Sequence, residues 1–133
     1  MDNFDVKFRG VRGSFPVANK NFLHYGGNTS CVEINVGGHL IILDAGTGIV
    51  TTGDELMENY IASAVEPENR TAVKATLLIS HIHQDHLLGL TFFKPLHIKS
   101  TELEIFGPGS KTSDLSKNLS ELVFGKTFPL DLG

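Results

Sequence analysis

The polar and apolar positions of this chain fall into short alternating stretches separated by glycine-rich breaks. Phe4-Asp5-Val6-Lys7-Phe8-Arg9 alternates with period two and predicts a half-buried strand that Gly10 ends. Val11 to Asn28 has little periodicity and holds Gly13, Pro16, Gly26 and Gly27, so it reads as a long loop, a kind of segment that often carries function in a small domain. Cys31 to Val36 alternates again, with Val32, Ile34 and Val36 on one face. Gly37-Gly38 is a two-residue hairpin signal, and His39-Leu40-Ile41-Ile42-Leu43 is then the return strand of an antiparallel pair. Thr52-Gly53-Asp54-Glu55 fits a capping box, after which Leu56, Met57, Tyr60, Ile61, Ala64 and Val65 recur at helical spacing. Glu66-Pro67-Glu68-Asn69-Arg70 is an exposed connection, and the apolar run from Ala75 to Ser80 predicts a buried strand. Leu87 to Phe93 reads as a short helix that Lys94-Pro95 ends, with Phe92 and Phe93 as packing residues. Glu102 to Phe106 alternates as a strand, broken by Gly107-Pro108-Gly109. Ser113 can cap a helix running to about Phe124 with Leu115, Leu119, Leu122 and Val123 on its buried face, and Phe128 to Gly133 looks like the approach to another strand.

The chemistry concentrates at one place. His81-Ile82-His83-Gln84-Asp85-His86 holds three of the six histidines, directly after the apolar run that predicts a buried strand. A strand that empties into a polar loop puts its last side chains at the rim of a sheet, where groups from several strand ends can converge. His81 and His83 are two apart, so in extended backbone they point to the same side and can share one ion. Asp85 and His86 follow where the chain turns, and they can face a second ion. Imidazole with a carboxylate suits zinc, and also iron, manganese or nickel; with no cysteine nearby, a closed structural zinc site is disfavoured. The competing reading is a solvated loop that happens to be His-rich, which fits one isolated His better than it fits this pattern. Metal binding here requires neutral imidazole and weakens as pH falls through the His range.

Asp44-Ala45-Gly46-Thr47-Gly48 ends the return strand with a glycine-rich turn, but it lacks the Gly-x-Gly-x-x-Gly spacing and the Walker Lys of a phosphate cradle. Asp44 reads equally as a group that holds a metal-binding His in place and as a strand-end Asp capping its own turn, so it stays outside the ligand set. His39 and His97 are read as exposed, and His24 as a residue that can border the site. A chain of 133 residues is one domain's worth of core, 41% hydrophobic and 20% charged, and its net charge of -4 gives no basic footprint for nucleic acid. Cys31 is alone and cannot form an internal disulfide, which fits a reducing compartment. The N-terminus lacks the basic-then-apolar order of a signal peptide, and no apolar run approaches the ~20 residues of a membrane span, so the expected location is cytoplasmic.

The His-x-His-x-Asp-His signature after a hydrophobic strand resembles that of the metallo-β-lactamase-fold hydrolases. The resemblance extends to Arg12-Gly13-Ser14, to Tyr25-Gly26-Gly27-Asn28-Thr29-Ser30-Cys31-Val32-Glu33 and to Leu43-Asp44-Ala45-Gly46-Thr47-Gly48. It is strongest to the branch that includes ribonuclease Z and the phosphodiesterase associated with carbon–phosphorus lyase. The resemblance implies an α+β fold, half of an αββα sandwich with a mixed, mostly antiparallel sheet and flanking helices. Residues 1–133 would then be the N-terminal portion of such a domain, with the C-terminal half absent. In the family that other half supplies a further His, a bridging Asp and a final His, and no motif here matches them. The implied activity is metal-dependent hydrolysis of a phosphodiester by a metal-bound hydroxide at a binuclear site, with two divalent ions roughly 3.5–4 Å apart, zinc first and manganese or iron as alternatives. His81, His83, Asp85 and His86 are the implied metal ligands, and Asp85 is also the catalytic group that orients or deprotonates the attacking water. The implied partners are a small-molecule or nucleotide-type phosphodiester and, through the open sheet face, a second copy or a partner half, with no membrane. The alternative is a catalytically incomplete metal-binding or interaction half-domain.

Overall fold

The alternating stretches become a five-stranded sheet with one covered face. The structure, a computed structural model, describes residues 3–109 and 112–125. Strands β1 (Phe4–Gly10), β2 (Cys31–Val36), β3 (His39–Leu43), β4 (Lys74–Leu78) and β5 (Glu102–Phe106) lie side by side in chain order. The β1–β2 and β2–β3 pairs are antiparallel, whereas β3–β4 and β4–β5 are parallel. The sheet is mixed, as expected, but antiparallel pairing makes up half of it rather than most, because both connections after β3 cross over the sheet. The β2–β3 turn is the predicted hairpin: Gly37 and Gly38 have φ of +54° and +83°, which side chains rarely adopt.

The register decides which face each side chain takes. Phe4 stands opposite Val36, Val6 opposite Ile34 and Phe8 opposite Val32; Val32 in turn meets Leu43, which leads on to Leu78 and Phe106. All of these lie on the face that, among the described residues, carries no helix, and Phe4 is 67% exposed, Phe8 73% and Phe106 56%. The alternation left open which face of β2 is buried, and one expectation, the fully buried run from Ala75, is corrected. The Val32, Ile34 and Val36 face of β2 is the open one, while Cys31 and Glu33 are buried on the other. The run from Ala75 to Ser80 is buried on one side only, with Ala75, Leu77 and Ile79 inside and Leu78 exposed. Helices cover a single face, so a sheet strand here keeps the alternating burial of a one-sided sheet.

The covered face packs under α1 (Ile49–Ala62), three 3₁₀ turns (Gln84–His86, Leu88–Phe92, Lys94–His97) and α2 (Thr112–Phe124). Ile42, Ile49, Leu77, Leu90 and Phe93 are fully buried among them. Cys31 is buried with them, and burial followed by the Glu33 charge pushes its thiol up to about 12, making it a core side chain rather than a nucleophile. The capping box does not cap: α1 starts at Ile49, and Thr52 and Gly53 lie inside it, buried. Thr52 Oγ1 instead donates to Glu33 Oε2 at 3.2 Å, and Gly53 lies where a Cβ would sit 2.9 Å from the Phe93 ring. Contact with β2 and the core, not local capping, sets where this helix begins. Phe93 is core and Phe92 is exposed. The helix expected from Leu87 to Phe93 is broken into 3₁₀ turns because its backbone is drawn to the end of β3, with Ala45 N–H donating to His86 O at 2.7 Å and Gly89 N–H to Ala45 O at 2.9 Å. In α2, Leu115, Leu119 and Leu122 pack on the core as expected. The side chain of Val123 and the strand expected from Phe128 lie outside the described residues.

Candidate metal centre

The His loop leaves the C-terminal end of β4, beside the C-terminal end of β3 to which β4 is paired in parallel. Two strand ends and the loop after β1 therefore meet at one rim. The structure brings His81, His83 and His86 together: the His81 ring centroid is 4.5 Å from that of His83 and 4.0 Å from that of His86. Asp85 joins them, with Oδ2 3.6 Å from His86 Nε2. The sequence-predicted ligands thus occupy a single patch. His24, His39 and His97 are exposed and stand outside these contacts.

Each end of the patch is anchored by a neighbour with unusual backbone. Asp44 has φ +61° and Ser14 φ +73°, the two positive-φ residues other than glycine among those described. Asp44 is buried; its Oδ2 accepts from His86 Nδ1 at 2.8 Å and from Ser80 Oγ at 2.8 Å, and its Oδ1 accepts from Ser80 N–H at 2.8 Å. A carboxylate only accepts, so this contact places the imidazole proton on Nδ1 and leaves the His86 Nε2 lone pair facing Asp85. Ser14 donates its backbone N–H to Asp85 Oδ2 at 2.9 Å. That hydrogen bond, opposed by slight desolvation, holds the Asp85 carboxyl below its usual range. Ser80 Oγ also lies 2.9 Å from His81 Nδ1, which fixes the first ring as well. Gly46 permits the close approach: a Cβ there would lie 2.5 Å from the Asp85 carbonyl oxygen and 2.5 Å from Thr29 Oγ1.

Of the two readings open for Asp44, the geometry favours the one in which it holds a His. Sequence reasoning missed the Ser14 backbone contact and the Ser80 hydroxyl. A backbone donor leaves no trace in side-chain identity, and a serine after a strand carries no distinctive spacing.

The donor chemistry fits a divalent ion. Ligands at about 2.0–2.2 Å in tetrahedral array stand roughly 3.3–3.6 Å apart, close to the 3.6 Å between His86 Nε2 and Asp85 Oδ2. Among the described residues, however, no group of three or more His, Cys, Asp or Glu side chains is arranged around a single ion position. The rings instead pack edge-on and tilted against one another, while His81 Nδ1 and Asp85 Oδ2 are engaged by Ser80 and Ser14. A cleft of about 640 Å³ lies elsewhere, at the other end of the strands, lined by residues including His39, Lys74, Glu102 and Glu104. The Lys74–Glu102 ion pair of 2.8 Å satisfies its main charges, and it is remote from the His loop in the sheet register.

A mixed sheet with helices on one face and a His-x-His-x-Asp-His loop at the strand ends defines the metallo-β-lactamase fold class, and the comparisons bear this out. The chain is 25% identical over 126 residues to a ribonuclease Z from Nitrosopumilus maritimus, a match spanning 92% of this chain and 36% of that protein. The metallo-β-lactamase-fold protein YhfI from Bacillus subtilis superimposes with a TM-score of 0.52 at 25% identity, covering 88% of this chain and 41% of that one. No protein-family model matches. The chain therefore has the metallo-β-lactamase fold, is a homologue of that ribonuclease Z, and spans well under half the length of the relatives it matches, consistent with an N-terminal half. These likenesses support a metal-dependent hydrolase family, and the fold implies divalent-metal use in general. Among the described residues no helix is long and apolar enough to cross a membrane.

Proposed function

We propose that this chain carries one side of a binuclear metal site that hydrolyses phosphodiesters, and that it acts in the cytoplasm. The observation that carries the reading is the approach of His86 Nε2 and Asp85 Oδ2 to 3.6 Å, with His86 oriented through its far nitrogen by Asp44 and that same Asp85 oxygen held in place by the Ser14 N–H. His81 and His83 would hold one ion, and Asp85 and His86 the other, with zinc the first candidate and manganese or iron the alternatives. When bound, such ions acidify water and neutralise charge that develops on the phosphoryl oxygens. Asp85 stays ionised because Ser14 favours its charged form, so it is a weak base; its catalytic part is to ligate and to orient the attacking water through its carboxylate. Asp44 keeps His86 in one tautomer, and Ser80 steadies both His81 and Asp44. The remaining donors come from outside the described residues, in a C-terminal half or a second polypeptide packed on the open sheet face.

A second reading is favoured by the chain's span of 36% of the ribonuclease Z relative: an incomplete half-domain that binds metal or a partner without catalysis. Elemental analysis of the purified protein, beside a His83→Ala variant, separates the two. Roughly two ions per chain, falling on substitution, together with hydrolysis of bis(p-nitrophenyl) phosphate, is the outcome expected where other residues or a partner chain complete the site. One ion or none, without hydrolysis, would overturn the binuclear reading for this polypeptide and leave the half-domain.

A further inference from the structure

The chain has three arginines, and they are used differently. Arg9 is clamped by the Glu33 and Glu55 carboxylates, and Arg70 is tied to the carbonyl oxygens of Ala64 and Val65. Arg12 is half-buried, and of its side-chain nitrogens only Nε donates, to Phe15 O at 2.9 Å. Its two terminal nitrogens have no hydrogen-bond or ion-pair partner among the described residues. The guanidinium is nevertheless fixed. It lies over the Phe15 ring at 4.9 Å and over the Phe22 ring at 4.5 Å, while the Arg12 backbone N–H bonds Asn28 O at 3.0 Å. No Asp or Glu occurs in residues 11–28, although the whole chain has more acids than bases. A held cation whose paired donors lack an acceptor of their own is preorganised for an anion, because the side chain is ordered before anything binds.

The place of this cation narrows what the anion is. Ser14 stands in a γ-turn, with φ +73° and Phe15 N–H bonded to Gly13 O at 3.0 Å, and its own N–H holds Asp85. The Arg12 and Ser14 Cα atoms are at most roughly 7 Å apart, and the Nε bond to Phe15, the residue after Ser14, keeps the guanidinium beside that turn. Ser14 therefore touches the candidate metal centre while Arg12 stands next to it, placed for a neighbouring group of a molecule bound there. We propose that the Arg12 guanidinium is an anion-binding subsite for a second, terminal acidic group of the substrate, a carboxylate or a phosphomonoester, carried beside the diester that is cleaved. This rests on the hydrolase reading above and narrows it. Two N–H donors of one guanidinium fit the two oxygens of such a group, and these oxygens, more basic than those of a diester, accept stronger hydrogen bonds. A single fork in a chain of net charge -4 does not make the cationic groove that tracks a nucleic acid backbone.

The arginine Nε–H signals of an NMR spectrum read this subsite directly. In isotope-labelled, chelator-treated protein the Arg12 signal is identified by its loss in Arg12→Gln, and those of Arg9 and Arg70 are the controls for folding and ionic strength. The probes are acetate, methyl phosphate and dimethyl phosphate, the last a diester with no second acidic group. The expected result is a saturable shift of the Arg12 signal alone with acetate or methyl phosphate, and binding weaker by about tenfold or more for dimethyl phosphate. The backbone amides of Phe15 and Phe22 are expected to follow the same titration, with affinity lowered by about the same factor in Arg12→Lys, which keeps the charge and removes the fork. A response to methyl phosphate only would assign the group as a phosphate, and one to acetate only as a carboxylate. Dimethyl phosphate binding as well as the other two would overturn the second-group role, since the fork would then take a diester. No saturable shift, a shift shared by all three arginines, or amide shifts that persist in Arg12→Gln would overturn the subsite itself. Because this readout needs no metal, it fails or succeeds separately from the metal content and the hydrolysis assay that test the parent reading.

Discussion

Asp44 is held at φ +61°, a region costly for most side chains but open to Asp and Asn, and its carboxylate gathers His86 and Ser80. Asp44→Asn keeps that backbone geometry yet offers an amide in place of the pure acceptor that fixes the His86 proton. The variant is expected to fold with an unchanged circular dichroism spectrum and to bind zinc about 10–100-fold more weakly in a chelator competition, the usual cost of losing such an orienting partner. Unaltered zinc affinity would show that Asp44 only caps its own turn. At this scale the sequence was informative about the cluster of candidate ligands and poor on its supports. The His81, His83, Asp85 and His86 cluster announces itself by composition. The role of Ser14, by contrast, exists because a backbone N–H is turned toward Asp85 by a strained loop, and no residue type encodes that.

Between β1, β2 and α1 lies a charge cluster that strand alternation alone could not reveal. Arg9 Nε bonds Glu33 Oε2 at 2.8 Å, and its terminal nitrogens grip the Glu55 carboxylate on α1, while Lys7 Nζ stands 3.5 Å from Glu33. Burial alone would raise the Glu33 carboxyl, but the Arg9 hydrogen bond and charge overcome it and leave Glu33 below its usual range. The sign of the pH effect follows. Glu33 releases its proton more readily folded than unfolded, so the stability it adds is complete above its unfolded value of roughly 4.3 and is lost as pH falls through the lower folded value. Between about pH 5 and pH 3 the urea midpoint of the wild type is expected to drop more than that of Glu33→Gln, and parallel acid limbs would contradict this. Arg9→Met leaves Glu33 buried without its main partner and is expected to cost about 3 kcal/mol, the low end for a broken buried pair because Lys7 remains near. The positions of the strands and helices were legible in the alternation and the glycines. Which face of β2 is buried was not, because an ion pair rather than apolar side chains occupies the inner position at Glu33, and β2's apolar residues are left to the outside.

At the scale of the molecule the outward face is the largest unspent feature of the fold. Phe4 and Phe8 on the edge strand, Val6 and Ile34 beside them, and Phe106 on the far strand lie on one surface that no helix among the described residues covers. Apolar surface of this extent drives association, and the edge of β1 adds unpaired backbone groups. The sequence already contained the alternation that builds this face, but it could not say that the face stays open. Openness depends on what packs across it, and the relatives that share the fold are more than twice as long as the stretch matched here. The isolated chain is therefore expected to sediment above its 14.5 kDa mass and to bind a hydrophobic dye. A Phe4→Lys, Phe8→Glu double variant, which puts charges on rings already in solvent, is expected to restore the monomer and abolish dye binding while leaving the helix-side core and the His loop intact. Were the wild type to run as a clean monomer without binding dye, the face would need no partner. The proposed completion of a metal site from across the sheet would then lose its main physical support, because further donors for a site at His81, His83, Asp85 and His86 would have no surface on which to arrive.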